Sequence, residues 1–453
     1  MTIRPGNIHG EHHAERPLVL MVAMEISVHA ARWLETVRDL PYRFVLVPAL
    51  GGVPIREFGL CRPVGSLDDI EGLPEGFIGV WTSDLLEGEP DAMPAPLYHR
   101  DRTHIVRAAA ITRAVETLKP AVVHSFEVQS AGYATLKAVE TLDQSPPWIV
   151  SGWGSDFLLY RKLQEHQPVL RRMARRMDAY IGECRRDHRV VRELGYVGPL
   201  TSPIPATGGI DISRMSPLSD FPPPSMRREI LVKGYHGWAG RAQHVLSALH
   251  IAAPRLRNFT IRIALAGPDT AEMASLLRDH DRLNVLVDPY DPDHSTSLKR
   301  LQTARMTIGI GISDGIGTSS LEAMAFGSFP ISSCASCLDE WIRPGKDGLI
   351  VDAHDVAAIS EAIVLAATDD VLVDTAAPRN RKEIEQRWDA AKNRPLIAAL
   401  YEDVLKTLDR NCDPSIRNLS PGSQEGHDLN SPPWAIAIDL AEASLVPSRR
   451  IDE

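Results

Sequence analysis

The fold is decided by residues 306–325, which read Met306-Thr-Ile-Gly-Ile-Gly-Ile-Ser-Asp-Gly-Ile-Gly-Thr-Ser-Ser-Leu-Glu-Ala-Met-Ala325. The apolar run from Met306 to Ile312 predicts a buried strand, and a glycine-containing loop follows it. Thr318 or Ser319 then supplies the hydroxyl group that caps a helix beginning near Ser319. A strand, a short loop and a helix in this order are the repeating unit of parallel α/β sheets.

The same unit recurs on both sides of this stretch. In the second half of the chain, strands are predicted at 229–233, 260–267, 284–287 and 306–312, and helices at 241–251, 271–279, 294–303 and from 319. In the first half, strands begin at 17, 43, 121 and 148, and helices span 27–40 and 102–118, whereas residues 51–97 are rich in Gly and Pro and show no clear element. The predicted fold class is therefore α/β, with two Rossmann-like domains, each a parallel sheet covered on both faces. Ligands of such sheets bind outside the carboxyl ends of the strands, which here face a shared cleft.

A proline-rich segment separates the two halves. Residues 216–225 hold four prolines in ten positions, and proline supports neither a helix interior nor a central strand. We predict a disordered leader at 1–16, a first domain at 17–215, a linker at 216–225, a second domain at 226–385, a helix at 386–409 that crosses back to the first domain, and a mobile tail at 410–453.

Composition excludes several classes of protein. Of the 453 residues, 44% are hydrophobic and 24% are charged, and the formal net charge is −10. This acidic balance argues against a nucleic-acid binder, because neutralising phosphates needs clustered Lys and Arg. No segment approaches the roughly 18 apolar residues of a membrane helix, and the first thirty residues do not form a signal peptide. We expect a cytoplasmic protein.

The five cysteines, Cys61, Cys184, Cys334, Cys337 and Cys412, do not form a disulfide framework. Cys334-Ala-Ser-Cys337 resembles half of a zinc or redox motif, but a structural zinc site needs four ligands and no second pair lies nearby in the sequence. We interpret them as loop cysteines in a reducing compartment, and predict no metal site.

The loop after the strand at 306–312 carries the chemistry. Free backbone N–H groups and the positive end of the following helix favour a phosphate group here, and Gly315, Thr318, Ser319 and Ser320 are the candidate residues. Asp314 precedes the helix and Glu322 lies about one turn inside it. Two carboxylates beside one phosphate site suit hydroxyl-rich groups on either side of a diphosphate. The plainer alternative is a capped helix with no ligand.

Two longer runs carry a family resemblance. Residues 313–332, with Leu321-Glu-Ala-Met-Ala-Phe-Gly, and residues 340–351, Glu340-Trp-Ile-Arg-Pro-Gly-Lys-Asp-Gly-Leu-Ile-Val, resemble the fourth family of retaining glycosyltransferases. The resemblance implies the GT-B fold, an acceptor-binding first domain and a donor-binding second domain. In that family two carboxylates separated by seven residues mark the donor site, and Asp314 and Glu322 have this spacing. The first touches sugar hydroxyls and the second the nucleotide ribose. Most members have Glu at the position of Asp314.

The resemblance also assigns outlying positions of the second domain. Lys233 and Arg241 look like the cations that clamp the donor diphosphate, and Arg suits phosphate well; the alternative is a pair of solvated charges. Gly267 ends a strand facing the cleft. Tyr290 lies in the loop where relatives hold the nucleobase.

In the first domain, His124 follows a strand and is similar to a histidine that the family places against the donor sugar; a structural role is the alternative. Trp153 and Asp156, in Trp153-Gly-Ser-Asp156, resemble a segment that lines the acceptor side of the cleft. The alternative is that Asp156 only stabilises a turn. Met24-Glu-Ile-Ser-Val-His29 stands where relatives commonly have a Gly-Gly loop.

The function that the resemblance implies is transfer of a sugar, with retention and without a metal ion or other cofactor, from a UDP-, GDP- or ADP-linked donor to a glycan or lipid-linked acceptor. Catalysis would rest on Lys233, Arg241, Asp314 and His124, with the N–H groups near Thr318 stabilising the leaving diphosphate. The alternatives are a nucleotide-sugar epimerase or sugar phosphorylase of the same fold, and a degenerate GT-B module that binds nucleotide sugar or polysaccharide without turnover.

A basic stretch at 161–192 holds ten Lys or Arg against four Asp or Glu. Arg171, Arg172, Arg175 and Arg176 fall at helical spacings that concentrate charge on one side. A solvated helix face is the ordinary interpretation. The alternatives are peripheral contact with anionic lipid at the inner membrane face, or an anionic or lipid-linked acceptor.

Overall fold

The computed structural model describes residues 16–82, 100–289 and 294–411. The first domain is built on one parallel sheet of seven strands in the order β3-β4-β2-β1-β5-β6-β7. These strands are β1 (Leu18–Ala23), β2 (Arg43–Pro48), β3 (Cys61–Val64), β4 (Ile78–Trp81), β5 (Val122–Phe126), β6 (Trp148–Ser151) and β7 (Ala179–Ile181). Every residue of the central strand β1 is buried, because neighbouring strands flank it and helices cover both faces of the sheet.

The helices of the first domain follow these strands. They are α1 (Val28–Val37), α2 (Leu67–Glu71), α3 (Arg100–Leu118), α4 (Tyr133–Thr141), α5 (Ser155–Leu158), α6 (Gln167–Arg176) and α7 (Arg185–Glu193). Ser27 caps α1, since its hydroxyl oxygen accepts a hydrogen bond from the Ala30 N–H at 3.3 Å. This cap places the first turn of α1 directly after the carboxyl end of β1.

The second domain is a six-stranded parallel sheet in the order β10-β9-β8-β11-β12-β13. Its strands are β8 (Glu229–Lys233), β9 (Thr260–Ala264), β10 (Asn284–Val287), β11 (Ala304–Gly309), β12 (Phe329–Ser333) and β13 (Leu349–Val351). Its helices are α8 (Ala242–Ala252), α9 (Pro268–Asp279), α10 (His294–Thr303), α11 (Thr318–Ala325), α12 (Val356–Thr368) and α13 (Asp370–Arg387), and α14 (Ala390–Asn411) follows. The predicted fold class, two Rossmann-like α/β domains, is confirmed.

The chain crosses between the domains twice, and the two crossings are hydrogen-bonded. The Ile210 N–H donates to the Trp388 carbonyl at 2.8 Å, and the Ala390 N–H donates to the Ile210 carbonyl at 2.9 Å. Beyond this point α14 packs on the first domain, where Tyr401 is fully buried in the same apolar cluster as Trp33. The end of the chain that the structure describes therefore belongs to the core of the first domain.

Two segments differ from their sequence-based interpretation. Residues 51–97, for which no element is predicted, contain β3, α2 and β4 within the described part. The basic stretch at 161–192 is not one helical segment, because the buried strand β7 lies between α6 and α7. Three apolar residues between two arginine-rich helices are too short a pattern to indicate a strand. None of the helices that the structure describes is long and apolar enough to span a bilayer.

Candidate active site

The carboxyl ends of the two sheets face each other across a cleft of about 670 Å³. Most of its lining comes from the segments that follow β1, β5, β6 and β7 of the first domain and β8, β9, β10 and β11 of the second. A smaller pocket of about 180 Å³, the serine pocket, shares Lys233 and Asp314 with the cleft. Its lining includes seven serines, Ser155, Ser313, Ser319, Ser320, Ser332, Ser333 and Ser336. Parallel α/β sheets bind their ligands at the carboxyl ends of the strands, which is where this cleft lies.

Glu322 lies on the second-domain side of the cleft, and its side chain is only 8% exposed. Its Oε1 atom accepts hydrogen bonds from Arg32 Nη1 of the first domain at 3.1 Å and from His294 Nε2 at 2.6 Å. Burial acts to raise the pKa of Glu322, but the hydrogen bond and charge of His294, followed by those of Arg32, outweigh it and hold the pKa below its ordinary value. Glu322 is therefore an ionised, buried carboxylate at the domain interface.

Asp314 sits in a loop that touches the first domain. Its carboxylate accepts a hydrogen bond from the Gly315 N–H at 3.0 Å, and its backbone carbonyl accepts one from Arg186. Gly315 itself contacts Gly154, which has φ +69°, so closely that a Cβ on Gly154 would overlap the Gly315 backbone, and a Cβ on Gly315 would overlap the Glu183 carboxyl group of the first domain. Gly315 therefore joins the two domains; it is not among the residues that line the cleft.

The helix α11 begins at Thr318 with Gly317 as its N-cap residue, and no side chain caps it. The prediction that Thr318 or Ser319 is the cap is wrong, because both residues already have helical positions. Thr318 and Ser319 line the cleft, and Ser319 and Ser320 line the serine pocket. The helix N-terminus thus opens towards both cavities, with its first N–H groups available to an anion.

The structure separates the two predicted diphosphate cations. Lys233, at the end of β8, lines both the cleft and the serine pocket. Arg241 precedes α8, and its Nη1 donates to the carbonyls of Gly237 and Gly240 at 2.9 and 2.8 Å. Arg241 is not among the residues that line either cavity. Of the pair, only Lys233 is placed where it can reach a ligand of the cleft.

Buried carboxyl groups line the first-domain side of the cleft. Asp156, on α5, accepts a hydrogen bond from the Trp153 N–H at 2.8 Å, and both residues line the cleft. Burial, followed by the charge of Glu127, raises the pKa of Asp156 to about 8. Burial and then Asp314 raise the pKa of Glu183 well above its ordinary value. These carboxyl groups hold protons readily and can donate as well as accept hydrogen bonds.

His124 lies in the core of the first domain rather than in the cleft, which corrects its prediction as a donor contact. It is fully buried within β5, with Nδ1 2.8 Å from the Tyr401 hydroxyl and Nε2 2.8 Å from the Ser151 hydroxyl. Burial lowers its pKa to about 3. With both ring nitrogens engaged in the core, His124 has a structural role.

The first domain does contribute a histidine to the cleft lining, His29, in the first turn of α1. Its ring packs edge-on against Trp153 at 5.4 Å between centroids, and its buried Nδ1 has no hydrogen-bond partner among the described residues. Burial, then the charges of Arg32 and Lys233, lower its pKa to about 4. His29 is therefore a neutral imidazole at neutral pH.

Of the two remaining predicted donor contacts, Gly267 lies outside both cavities. Gly267 is an exposed residue at the start of α9, and a Cβ there would meet nothing within 4 Å. It is not among the residues that line the cleft, although Ala264 and Leu265 just before it are. Tyr290 lies outside the described residues.

The cysteines of the two domains meet, contrary to their interpretation as loop cysteines. Cys184, before α7, and Cys337 form a disulfide across the domain interface, with their Cα atoms 6.2 Å apart. They are 153 residues apart in sequence, so no spacing pattern indicates the pair. Within the described residues, two side-chain groups have the spacing to hold a metal ion, and neither lines the cleft: His250/His280/Asp281, and Cys184/Cys337/Glu340, whose cysteines are engaged in the disulfide.

Two of the four arginines of α6 form ion pairs of the kind seen on solvated helix faces. Arg172 Nη2 lies 2.8 Å from Glu140, and Arg176 Nη1 lies 3.6 Å from Asp178. Lipid contact through 161–192 stays a prediction. Co-sedimentation with anionic and neutral vesicles tests it, comparing the natural protein with a variant in which the four arginines become glutamine.

Sequence reasoning missed the contribution of α1 to the site. His29 and Arg32 lie three residues apart, one helical turn, and both line the cleft. Their spacing is a usable signal only when α1 is known to follow the carboxyl end of a central strand. Trp238 and His294 were missed for a similar reason, since a lone aromatic residue or histidine in a loop or first turn carries no pattern.

Two family models match parts of the chain. Residues 225–386 match the family model of glycosyl transferases group 1, and residues 92–182 match that of glycosyl transferase 4-like proteins. No protein with curated annotation matches the chain in sequence.

Solved structures share the fold at low identity. Sucrose-phosphate synthase from Thermosynechococcus elongatus has a TM-score of 0.65 at 14% identity, covering 86% of this chain and 100% of that chain. HepE from Anabaena, solved with UDP and glucose, has a TM-score of 0.59 at 14% identity, covering 85% and 100%. A TarM variant from S. aureus, solved with fondaparinux, α-GlcNAc-glycerol and UDP, has a TM-score of 0.53 at 13% identity, covering 65% and 59%.

The protein thus has the GT-B fold, with two Rossmann-like domains and a cleft between them. The two family matches, one on each domain, support a group 1 glycosyltransferase.

Proposed function

We propose that the protein transfers a sugar from a nucleotide-sugar donor to a glycan or lipid-linked acceptor, with retention at the anomeric carbon and without a metal ion. The observation that carries this proposal is the ionised, buried Glu322 beside an uncapped helix N-terminus and Lys233 in one interdomain cleft. The group 1 match covers all of these second-domain residues.

The donor would bind along the second-domain wall of the cleft. A buried carboxylate accepts hydrogen bonds from a pair of neighbouring hydroxyl groups, so Glu322 suits the ribose. The first N–H groups of α11 and the ammonium group of Lys233 suit the diphosphate. Asp314, shared between the cleft and the serine pocket, is placed to accept hydrogen bonds from the sugar.

In the transfer step the bond between the anomeric carbon and the diphosphate oxygen breaks, and the acceptor oxygen bonds to that carbon on the same face. The acceptor proton passes to the leaving phosphate oxygen, so charge and atoms balance. The negative charge that develops on the diphosphate is stabilised by Lys233 and by the N-terminus of α11, which are fixed before the reaction begins. These groups supply cationic stabilisation at the position where a metal ion would otherwise supply it.

The acceptor would approach from the first domain. Trp153, Tyr160 and Trp238 offer aromatic faces on which the apolar side of a sugar ring can pack, and Asp156 and Glu183 offer carboxyl groups for its hydroxyls. HepE and the TarM variant are solved with UDP, which makes UDP-sugars the first donors to test.

The test is nucleotide release from UDP-, GDP- and ADP-linked sugars, after a thermal-shift screen that ranks the donors by bound-state stabilisation. Release by the natural protein should persist in EDTA and should be lost in Asp314→Asn more than in Asp314→Glu, which keeps the charge. The anomeric configuration of the product, read by NMR, tests retention. Binding of a donor without release under all conditions would refute the enzymatic assignment in favour of a binding module.

A further inference from the structure

The cleft is lined by a cation of the first domain, Arg32, which is not among the predicted donor-binding residues. Arg32 projects from α1 and reaches Glu322 on α11, where its Nη1 lies 3.1 Å from Oε1. Its side chain is 22% exposed, so the guanidinium is partly sheltered from water yet lines the open cleft. A partly desolvated arginine beside a ligand cavity interacts with an anion more strongly than a surface arginine does.

Arg32 and Lys233 converge on the same part of the cleft. Both act on the pKa of His29, after the effect of burial, and Glu322 and Asp314 act on it in the opposite sense. All four charged residues line the same cleft as His29. Two cations and the two carboxylates of the proposed donor site therefore share one cavity, and Arg32 and Glu322 are in direct contact within it.

Arg241, the second cation that the sequence predicts at the diphosphate, does not lie beside Lys233 at the cleft. The Arg241 guanidinium is held by the carbonyls of Gly237 and Gly240, and Arg241 lines neither cavity. A nucleoside diphosphate carries at least two negative charges, and Lys233 is a single point charge. The cleft needs a second cation for such a ligand, and Arg32 is placed to be it.

We propose that Arg32 is a diphosphate-binding residue, and that its ion pair with Glu322 is exchanged when the donor binds. The inference rests on the proposed function. The ribose hydroxyls take the place of the Arg32 guanidinium at the Glu322 carboxylate, and the released guanidinium turns to the diphosphate. Each group changes one polar partner for another in this exchange, and Glu322 keeps the hydrogen bond from His294.

The exchange links the two domains through the ligand. Arg32 belongs to the first domain and Lys233 to the second, so a diphosphate held by both bridges the cleft and favours its closed form. A nucleoside without phosphates reaches Glu322 but gives Arg32 no new partner. The phosphate groups are therefore the part of the donor that Arg32 binds.

The experiment compares Arg32→Gln with Arg56→Gln, which removes the same charge from an exposed arginine of the same domain. Affinities are measured by calorimetry for UDP and uridine, or for the GDP or ADP pair if thermal shift selects that base. We expect Arg32→Gln to weaken diphosphate binding by about 10- to 100-fold, the worth of one hydrogen bond to a charged group, and to leave nucleoside binding within experimental error of the natural protein or slightly tighter. Arg56→Gln should change neither affinity.

Two results for Arg32→Gln would overturn the proposal. One is a diphosphate affinity equal to that of the natural protein, and the other is an equal fold-loss for diphosphate and nucleoside, which would indicate a structural role. Arg32→Lys separates charge from geometry, since a lysine should restore part of the diphosphate affinity. Failure of the natural protein to bind any of the three diphosphates would instead refute the proposed function. The two failures are thus distinct.

Discussion

Gly154 is the sharpest probe of the domain interface. A Cβ at this position would lie 1.9 Å from the backbone nitrogen of Gly315 and 2.2 Å from its Cα, whereas real Cβ atoms essentially never come within 3.0 Å of such atoms. Both contacts are with backbone, so no side-chain rotation relieves them. Gly154→Ala should therefore separate the Gly154 and Gly315 segments by about 1.1 Å, the difference between the shorter distance and that limit.

The displacement acts where the first domain meets the loop that carries Asp314. A misplacement of about 1 Å in a catalytic arrangement can lower the rate by about 10²-fold, which is the loss of turnover that we expect for Gly154→Ala. Gly154 also has φ +69°, so the alanine adds roughly 1–2 kcal/mol of backbone strain that has nothing to do with the cleft. This second effect must be separated from the first.

Gly76→Ala provides the control. Gly76 lies in the same domain with φ +81°, and a Cβ there would meet nothing within 4 Å. Both variants should lose a similar free energy of unfolding from backbone strain in urea denaturation, and only Gly154→Ala should lose nucleotide release from the donor. Equal activity of the two variants would show that the Gly154–Gly315 contact does not position the site.

Three further perturbations have expected outcomes. Glu322→Gln should weaken nucleoside diphosphate binding by about 10- to 100-fold in calorimetry, because a charged acceptor is lost, whereas the exposed Glu361→Gln should not. Lys233→Ala should lower turnover by roughly 10²-fold, and Arg241→Ala should lower it far less, since its guanidinium is held outside the cleft. The pKa of Asp156 is raised from 3.8 to about 8, so between these values the folded protein keeps a proton that the unfolded chain releases. Its unfolding free energy should therefore fall as pH rises from 4 to 8, by at most about 1.4 kcal/mol per pH unit, and Asp156→Asn should flatten that profile in chemical denaturation.

Each of these three predictions would be contradicted by a specific result. Normal diphosphate affinity in Glu322→Gln would remove the ribose contact from the proposal. Equal losses for the lysine and arginine variants would mean that Arg241 leaves its backbone partners when the donor binds. Stability profiles that coincide for the natural protein and Asp156→Asn would show that this carboxyl group is ionised in the folded state.

The sequence by itself determined the architecture and the places of Asp314 and Glu322 within it. Alternation of apolar runs with helical segments is a local pattern, and it indicates parallel sheets without knowledge of distant contacts. The strand, loop and helix at 306–325 form one continuous unit, so the positions of Asp314 and Glu322 at its carboxyl end follow from the chain itself. Short elements such as β7 escaped this reasoning because three residues carry too little periodicity.

Only the tertiary structure decided what faces these residues from the other domain. Arg32 reaches Glu322 across 290 residues of sequence, and Cys184 meets Cys337 across 153. The same is true of His124, whose partner Tyr401 comes from a helix at the far end of the chain. Such contacts depend on how two separately folded sheets are set against each other and on which way each side chain turns. A local sequence pattern contains neither, because both are settled by packing between residues that are far apart in the chain.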